Sequence, residues 1–163
     1  KKSGSDDQWL YLPALKRVKR IASSNQAGPF MGSEFAYEDI SSQELEKYTY
    51  KYLRNEAYNG FDCFVVEYDP VDRKSGYSKQ IVWIDTKEYR SHKIEFYDRK
   101  ESLLKTLEYK GYSQYNDKFW RADVFEMENH QTGKRTVLEF DDWKFQTGLT
   151  AKDFNKKSLK KVR

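Results

Sequence analysis

The sequence predicts a mainly β protein: one curved antiparallel sheet with short lid helices, which either curls on itself into a barrel or is covered by another element. Two observations carry that expectation and a third narrows it. Apolar and aromatic residues alternate with polar ones along most of the chain, the period of half-buried strands. Turn signals interrupt the alternation at short, regular intervals, as in sheets built hairpin by hairpin. No segment carries a long amphipathic stripe, and parallel strands need helical crossovers of about a dozen residues or more.

The elements follow in order. Trp9-Leu-Tyr-Leu12 opens the alternation, and Pro13 ends that strand or forces it to an edge. Val18 to Ile21 returns antiparallel to it. Residues 44–54 place Tyr48, Tyr50 and Tyr52 on one face. Residues 61–68 set Phe64, Val66 and Tyr68 opposite Cys63 and Val65, and Asn59-Gly60 between the two runs is a hairpin turn signal. Strands are then expected over 77–85, 92–98, 103–112, 119–129 and 136–145. Two places break the rhythm. Residues 23–43 form a long excursion in which Ser33 can cap a short helix bearing Glu34, Phe35, Tyr37 and Ile40. Excursions this long in a compact domain are usually lids or binding loops. In the second, Thr150 can cap one helical turn over 151–154.

At 163 residues the chain reads as a single domain, 1–163. With 17% aromatic residues it has the means to build a core, although 34% of its residues are charged. One cysteine, Cys63, excludes an internal disulfide and a cysteine cage for zinc; two histidines exclude a His-rich metal site. No cofactor is expected. The net charge of +4 hides clustering. Lys1, Lys2, Lys16, Arg17, Lys19, Arg20, Lys156, Lys157, Lys160, Lys161 and Arg163 lie in three short segments without a single acid. Solvated strand ends and a frayed tail account for such clusters in the ordinary case, and a contact surface for an anionic partner is the sharper reading. The remainder of the chain is acidic, which opposes binding along a nucleic-acid backbone.

Enzyme signatures are missing. Gly28-Pro-Phe-Met-Gly32 lacks the Gly-Lys-Ser/Thr of a phosphate loop, and Ser33 lacks a nucleophile elbow. Cys63 in mid-strand reads as buried and inert, and His92 and His130 read as surface histidines. The large apolar residues support two readings. They fill a packed core, or they line a cavity that shelters an acyl chain beneath the excursion.

Three stretches add a resemblance. They are Asp7-Gln-Trp-Leu-Tyr-Leu-Pro-Ala-Leu-Lys-Arg-Val-Lys-Arg-Ile21, Gly28-Pro-Phe-Met-Gly-Ser-Glu-Phe-Ala-Tyr-Glu-Asp-Ile40 and Thr147-Gly-Leu-Thr-Ala-Lys-Asp-Phe-Asn155. Together they resemble the outer-membrane lipoprotein-sorting protein family, a branch of the LolA-like superfamily. The resemblance implies an unclosed LolA/LolB-like half-barrel with its concave face plugged by helices. It implies a non-enzymatic carrier in the periplasm of a Gram-negative envelope, binding lipid or lipoprotein acyl chains and working beside an envelope exporter complex. A ligand-free adaptor domain of such a complex is the alternative. Family members carry a helix and several strands ahead of this region, so the chain is read as the C-terminal two-thirds of the domain. The edge and face thereby left open predict peripheral membrane contact or a homodimer. On this reading Leu10, Leu12, Phe64, Val66, Trp83 and Phe96 form the apolar wall, Phe30, Met31, Phe35 and Tyr37 the lid, and Lys16, Arg17, Lys19 and Arg20 the anionic-partner contact.

Overall fold

A computed structural model describes residues 7–160 apart from Gln43. Lys1, Lys2, Lys161 and Arg163 of the basic clusters lie outside the described residues. The chain opens with a small hairpin: β1 (Gln8–Leu12) pairs antiparallel with β2 (Arg17–Ile21) across a 3₁₀ turn at Pro13–Leu15. Proline is suited to that first turn position because its missing N–H leaves no bond unmade.

After the excursion comes a seven-stranded meander. Asn59 (φ 48°) and Gly60 (φ 82°) both take left-handed backbone, the geometry of a tight turn that matches strand twist, and they join β3 (Tyr48–Tyr58) to β4 (Phe61–Pro70). Then follow β5 (Tyr77–Asp85), β6 (Ser91–Asp98), β7 (Leu103–Tyr115), β8 (Phe119–Asn129) and β9 (Arg135–Glu139). Each strand is antiparallel to the one before, in the spatial order β3-β4-β5-β6-β7-β8-β9. Among the described residues β3 and β9 do not pair, so the sheet stays open. Register irregularities interrupt the ladders β3–β4, β4's neighbour pair β5–β6, and β6–β7. Each inserts extra local twist, which bends a long sheet.

Alternation gives the sheet two unlike faces. The aligned pairs Val66↔Val82, Val82↔Ile94, Ile94↔Leu107 and Leu107↔Met127 run across the inner face. There the main core gathers Phe35, Tyr77, Val82, Ile94, Phe96, Leu107 and Met127. Phe35 comes from the excursion, so residues 26–42 cap this face. On the outer face a smaller cluster of Cys63, Val65, Ile81 and Trp83 sits under Leu53, Tyr58 and Tyr97. Charged groups roof it: Trp83 Nε1 donates to Glu56 Oε1 at 3.0 Å, and Lys93 Nζ stands 3.5 Å from the Trp83 ring centre.

Several local expectations change. Residues 31–42 form turns and bends instead of a helix capped by Ser33. Ser33 Oγ is spent locally, donating to Phe30 O at 2.6 Å and accepting from Phe35 N–H at 3.2 Å. The short helices of the fold are single 3₁₀ turns at Pro13–Leu15, Ser23–Asn25, Leu45–Lys47 and Ser158–Lys160. The last strand ends at Glu139, short of Phe145; beyond it Phe140, Trp143 and Phe145 follow one another as an aromatic stack. His92 is buried, with Nε2 3.0 Å from Asp85 Oδ2, while His130 is exposed.

Candidate functional site

Polar groups bolt the excursion to the inner face, and they are buried. Asp39 is the centre. Its Oδ1 accepts from Tyr77 OH at 2.7 Å, and its Oδ2 accepts from Ala36 N–H at 2.6 Å and from Lys105 Nζ at 2.7 Å. Lys105 comes up from β7, in phase with Leu107, and also donates to Glu34 O at 2.9 Å. Both partners of this ion pair are almost fully buried, with side-chain exposures of 5% and 1%. A buried charge survives only when paired and hydrogen-bonded, and here every one is. Two further bolts flank it. Asn129 Nδ2 donates to Glu34 Oε2 at 2.7 Å, and Glu38 accepts from Ser75 Oγ at 2.8 Å and from Gly76 N–H at 2.9 Å. Burial raises the Glu38 carboxyl above its ordinary range, against the pull of those two donors. Burial likewise drives the Tyr77 phenol far up, helped by Asp39, so it stays protonated and donates to Asp39. Gly76 is needed for close approach: a Cβ there would stand 2.9 Å from Ala27 Cβ.

The cap covers β5 to β8 and leaves the β3–β4 side of the same face open. Tyr50 and Tyr52 are exposed there, and Phe64, Val66 and Tyr68 are half-buried. The pairs Tyr50↔Tyr68 and Tyr52↔Val66 align them into one strip. Tyr50 and Tyr68 meet edge to face with centroids 4.6 Å apart, and Tyr48 joins them. Burial, then the neighbouring Tyr50 and Tyr48, pushes the Tyr68 phenol up to about 12. The strip is uncharged at neutral pH and continuous with the capped core. Such a surface suits an apolar ligand, since each Å² withdrawn from water gains roughly 25 cal/mol.

Clefts lie at the margins. One of about 290 Å³ runs between the hairpin, the excursion and the start of β3, lined by Gln8, Gln26, Glu38, Tyr48, Pro70 and Val71 among others. Another of about 280 Å³ lies at the far end, between the β3–β4 turn and Trp120. Beside it the Asp85 carboxylate accepts from the Lys87 and Glu88 N–H groups, from Arg90 Nε at 2.8 Å and from His92. Burial disfavours its charge, but those donors and the Arg90 guanidinium hold the carboxyl well below the usual range. Arg90 in turn stacks 4.4 Å from the Trp120 ring centre. This cluster fixes the β5–β6 turn. Cys63 is fully buried and burial raises its thiol, the setting of an inert cysteine. Among the described residues no His, Cys, Asp and Glu group is arranged to hold a metal ion.

The residues singled out in the sequence scatter over this frame. Phe35 is sunk in the main core, with Phe30 packed beside it, and Tyr37 meets Phe30 edge to face at 5.7 Å. Met31 points away, 62% exposed. Phe64, Val66 and Phe96 share the inner face. Trp83 does not: it pairs with Val65 and lies in the outer cluster, so it shares no wall with Phe96. Leu10 and Leu12 belong to the separate hairpin, paired with Lys19 and Arg17. Lys16, Arg17, Lys19 and Arg20 are exposed, with Arg20 bonded to Asp7. Asp39, Lys105, Glu34 and Asn129 were missed. A lysine in phase with Leu107 on a strand is the one signal that pointed to them.

Known proteins share this architecture. A protein-family profile described only as “uncharacterized protein-like” matches residues 1–161. A crystal structure described as an outer membrane lipoprotein-sorting protein domain, from Vibrio parahaemolyticus, is 62% identical with a TM-score of 0.93 over 96% of this chain and 67% of its own. The chain belongs to the outer-membrane lipoprotein-sorting protein family. A DUF1329 family protein from Desulfovibrio piger follows at 28% identity and a TM-score of 0.87, covering 96% of this chain and 66% of its own. A LolA superfamily protein from Nitrosomonas europaea, also 28% identical, aligns with a TM-score of 0.74 over 94% of this chain and 68% of its own. This chain therefore has the LolA-like half-barrel fold and spans about two thirds of each relative's length. No curated protein matches it.

Proposed function

We propose that this chain is a non-enzymatic periplasmic carrier that holds a lipid or lipoprotein acyl chain against its inner face, in lipoprotein sorting and transport to the outer membrane. One observation carries the reading: the uncharged strip of Tyr50, Tyr52, Phe64, Val66 and Tyr68, exposed at Tyr50 and Tyr52 and half-buried at the others, is continuous with the core under the cap. The cap residues Phe30, Phe35 and Tyr37 would border the bound chain, with Phe64, Val66 and Phe96 as wall. Similarity to the lipoprotein-sorting protein domain of Vibrio parahaemolyticus supports the sorting role. An exporter complex of the envelope is the partner class such a carrier would serve, and the unpaired edges of β3 and β9 offer a second copy a place to join.

The alternative, a ligand-free adaptor domain, is favoured by one fact: the cap is bolted down by a buried ion pair, and Phe35 fills the space beneath it. Native mass spectrometry of the complete protein, purified without detergent from its own envelope, separates the two. A bound species of lipid or lipopeptide mass, released on denaturation, is the expected result. A clean unliganded mass, where a known lipid carrier retains its ligand, would overturn the carrier reading in favour of the adaptor.

A further inference from the structure

The folded chain brings together two basic segments that lie far apart in sequence. The 3₁₀ turn Ser158–Lys160 lies beside β1, so the end of the C-terminal segment 149–160 meets the hairpin. Residues 7–21 and 149–160 hold eight Lys and Arg against two acids, a local net charge of +6 in a chain whose total is +4. Both acids are already engaged. Asp7 bonds to Arg20, and Asp153 Oδ2 accepts from Thr150 N–H at 2.7 Å and from Thr150 Oγ1 at 3.0 Å. Lys16, Arg17, Lys19, Lys156 and Lys157 are exposed.

The same two segments expose large apolar side chains. Leu15 at the hairpin tip is 63% exposed, Leu149 65% and Phe154 74%. A small hairpin gains nothing in its own stability by presenting a leucine at its tip. Exposed apolar residues set among lysines and arginines are the composition of an interfacial membrane contact. The bases meet lipid phosphates and the apolar tips enter the boundary with the acyl region. A folded acidic protein would match the charge but leave three apolar tips without a purpose.

We propose that the β1–β2 hairpin and residues 149–160 form one docking surface for an anionic phospholipid bilayer, with Leu15 and Phe154 as insertion points. It takes up the four hairpin bases expected from the sequence to meet an anion, and adds the C-terminal half. It does not depend on lipid carriage, because surface binding and bound cargo are read by different measurements.

The test is co-flotation of the full chain with large unilamellar vesicles. One set is pure phosphatidylcholine and the other contains one quarter phosphatidylglycerol. Binding to the anionic vesicles alone is expected, with release above roughly 0.5 M salt, where screening shortens to a few Å. Each base near an anionic surface strengthens binding roughly fivefold. The triple variant Lys16→Gln/Arg17→Gln/Lys19→Gln should therefore bind about a hundredfold more weakly. Lys156→Gln/Lys157→Gln should lose about twentyfold, and it leaves every sheet strand untouched. Leu15→Ser/Phe154→Ser should weaken binding without changing its salt dependence. No binding to anionic vesicles, or equal binding to both kinds, would overturn the proposal. So would an unaffected Lys156/Lys157 variant, which would reduce the surface to the hairpin alone. Retention on an acidic protein without vesicle binding would assign the charge to a protein partner instead.

Discussion

Lys105→Met severs the cap from the sheet at its centre. The substitution keeps most of the apolar stem of the side chain and removes its ammonium group and charge. Lys105 Nζ reaches two acceptors, Asp39 Oδ2 and Glu34 O, on a side chain only 5% exposed to solvent. Asp39 would keep Tyr77 OH and Ala36 N–H as donors but lose its countercharge. Leaving one half of a buried ion pair unpaired costs about 3–5 kcal/mol. For a chain of 163 residues each kcal/mol shifts the melting midpoint by roughly 2–4 °C, so a fall of about 10 °C is expected. Urea unfolding gives the free energy, and amide exchange gives the location. Exchange should quicken at Phe30, Tyr37 and Asp39, whose N–H groups bond within the cap. The double variant Asp39→Asn/Lys105→Met removes both charges and should recover part of the loss. An unchanged midpoint together with unchanged exchange in residues 28–40 would refute the idea that this ion pair seats the cap.

Three more outcomes follow from the same geometry. Phe35→Ala empties a site 1% exposed at the centre of the main core, and calorimetry should find it less stable by about 3–5 kcal/mol. Asp85 has its folded carboxyl below the unfolded value of about 3.9, so its contribution is complete above that pH and is lost as pH falls through the folded value. Stability should therefore decline below about pH 4, and Asp85→Asn should be less stable at neutral pH with a flatter acid limb; an identical acid limb would exclude Asp85 as its source. Cys63, buried beneath the outer cluster, should react with a thiol reagent only as fast as the protein opens, and in denaturant at the rate of a free thiol.

The sheet was legible because its signals are local. Asn59-Gly60 specifies a turn through the backbone of two residues, and period two fixes which residues share a face. Which face is covered was not legible, and Trp83 shows why. One register step separates it from Val82, and the choice between them depends on a cap that packs from far along the chain. Ser33 was read as a helix cap from its own chemistry, but Asp39 organises the segment by accepting from Ala36 N–H. His92 was read as a surface residue because its partner, Asp85, is placed by the turn between them. The strand expected to reach Phe145 stops when its backbone partners end: Phe140 N–H to Asp123 O is a final ladder-like bond, and the aromatic rings beyond it hold each other by stacking.

The order of the chain has a consequence for its birth. Every strand of the meander pairs with its immediate sequence neighbour, so the sheet can grow hairpin by hairpin as residues emerge from a ribosome or a translocation pore. The cap precedes the meander in the chain and is seated by residues that follow much later. Glu34 waits 102 residues for Thr136, and Asp39 waits 66 for Lys105. For much of that interval the share of the core that Leu107 and Met127 supply is missing, and the cap lacks its bolts to β7 and β9. Until β7 and β9 are made, the apolar side chains of this segment lack part of their partners, the kind of exposure that chaperones recognise.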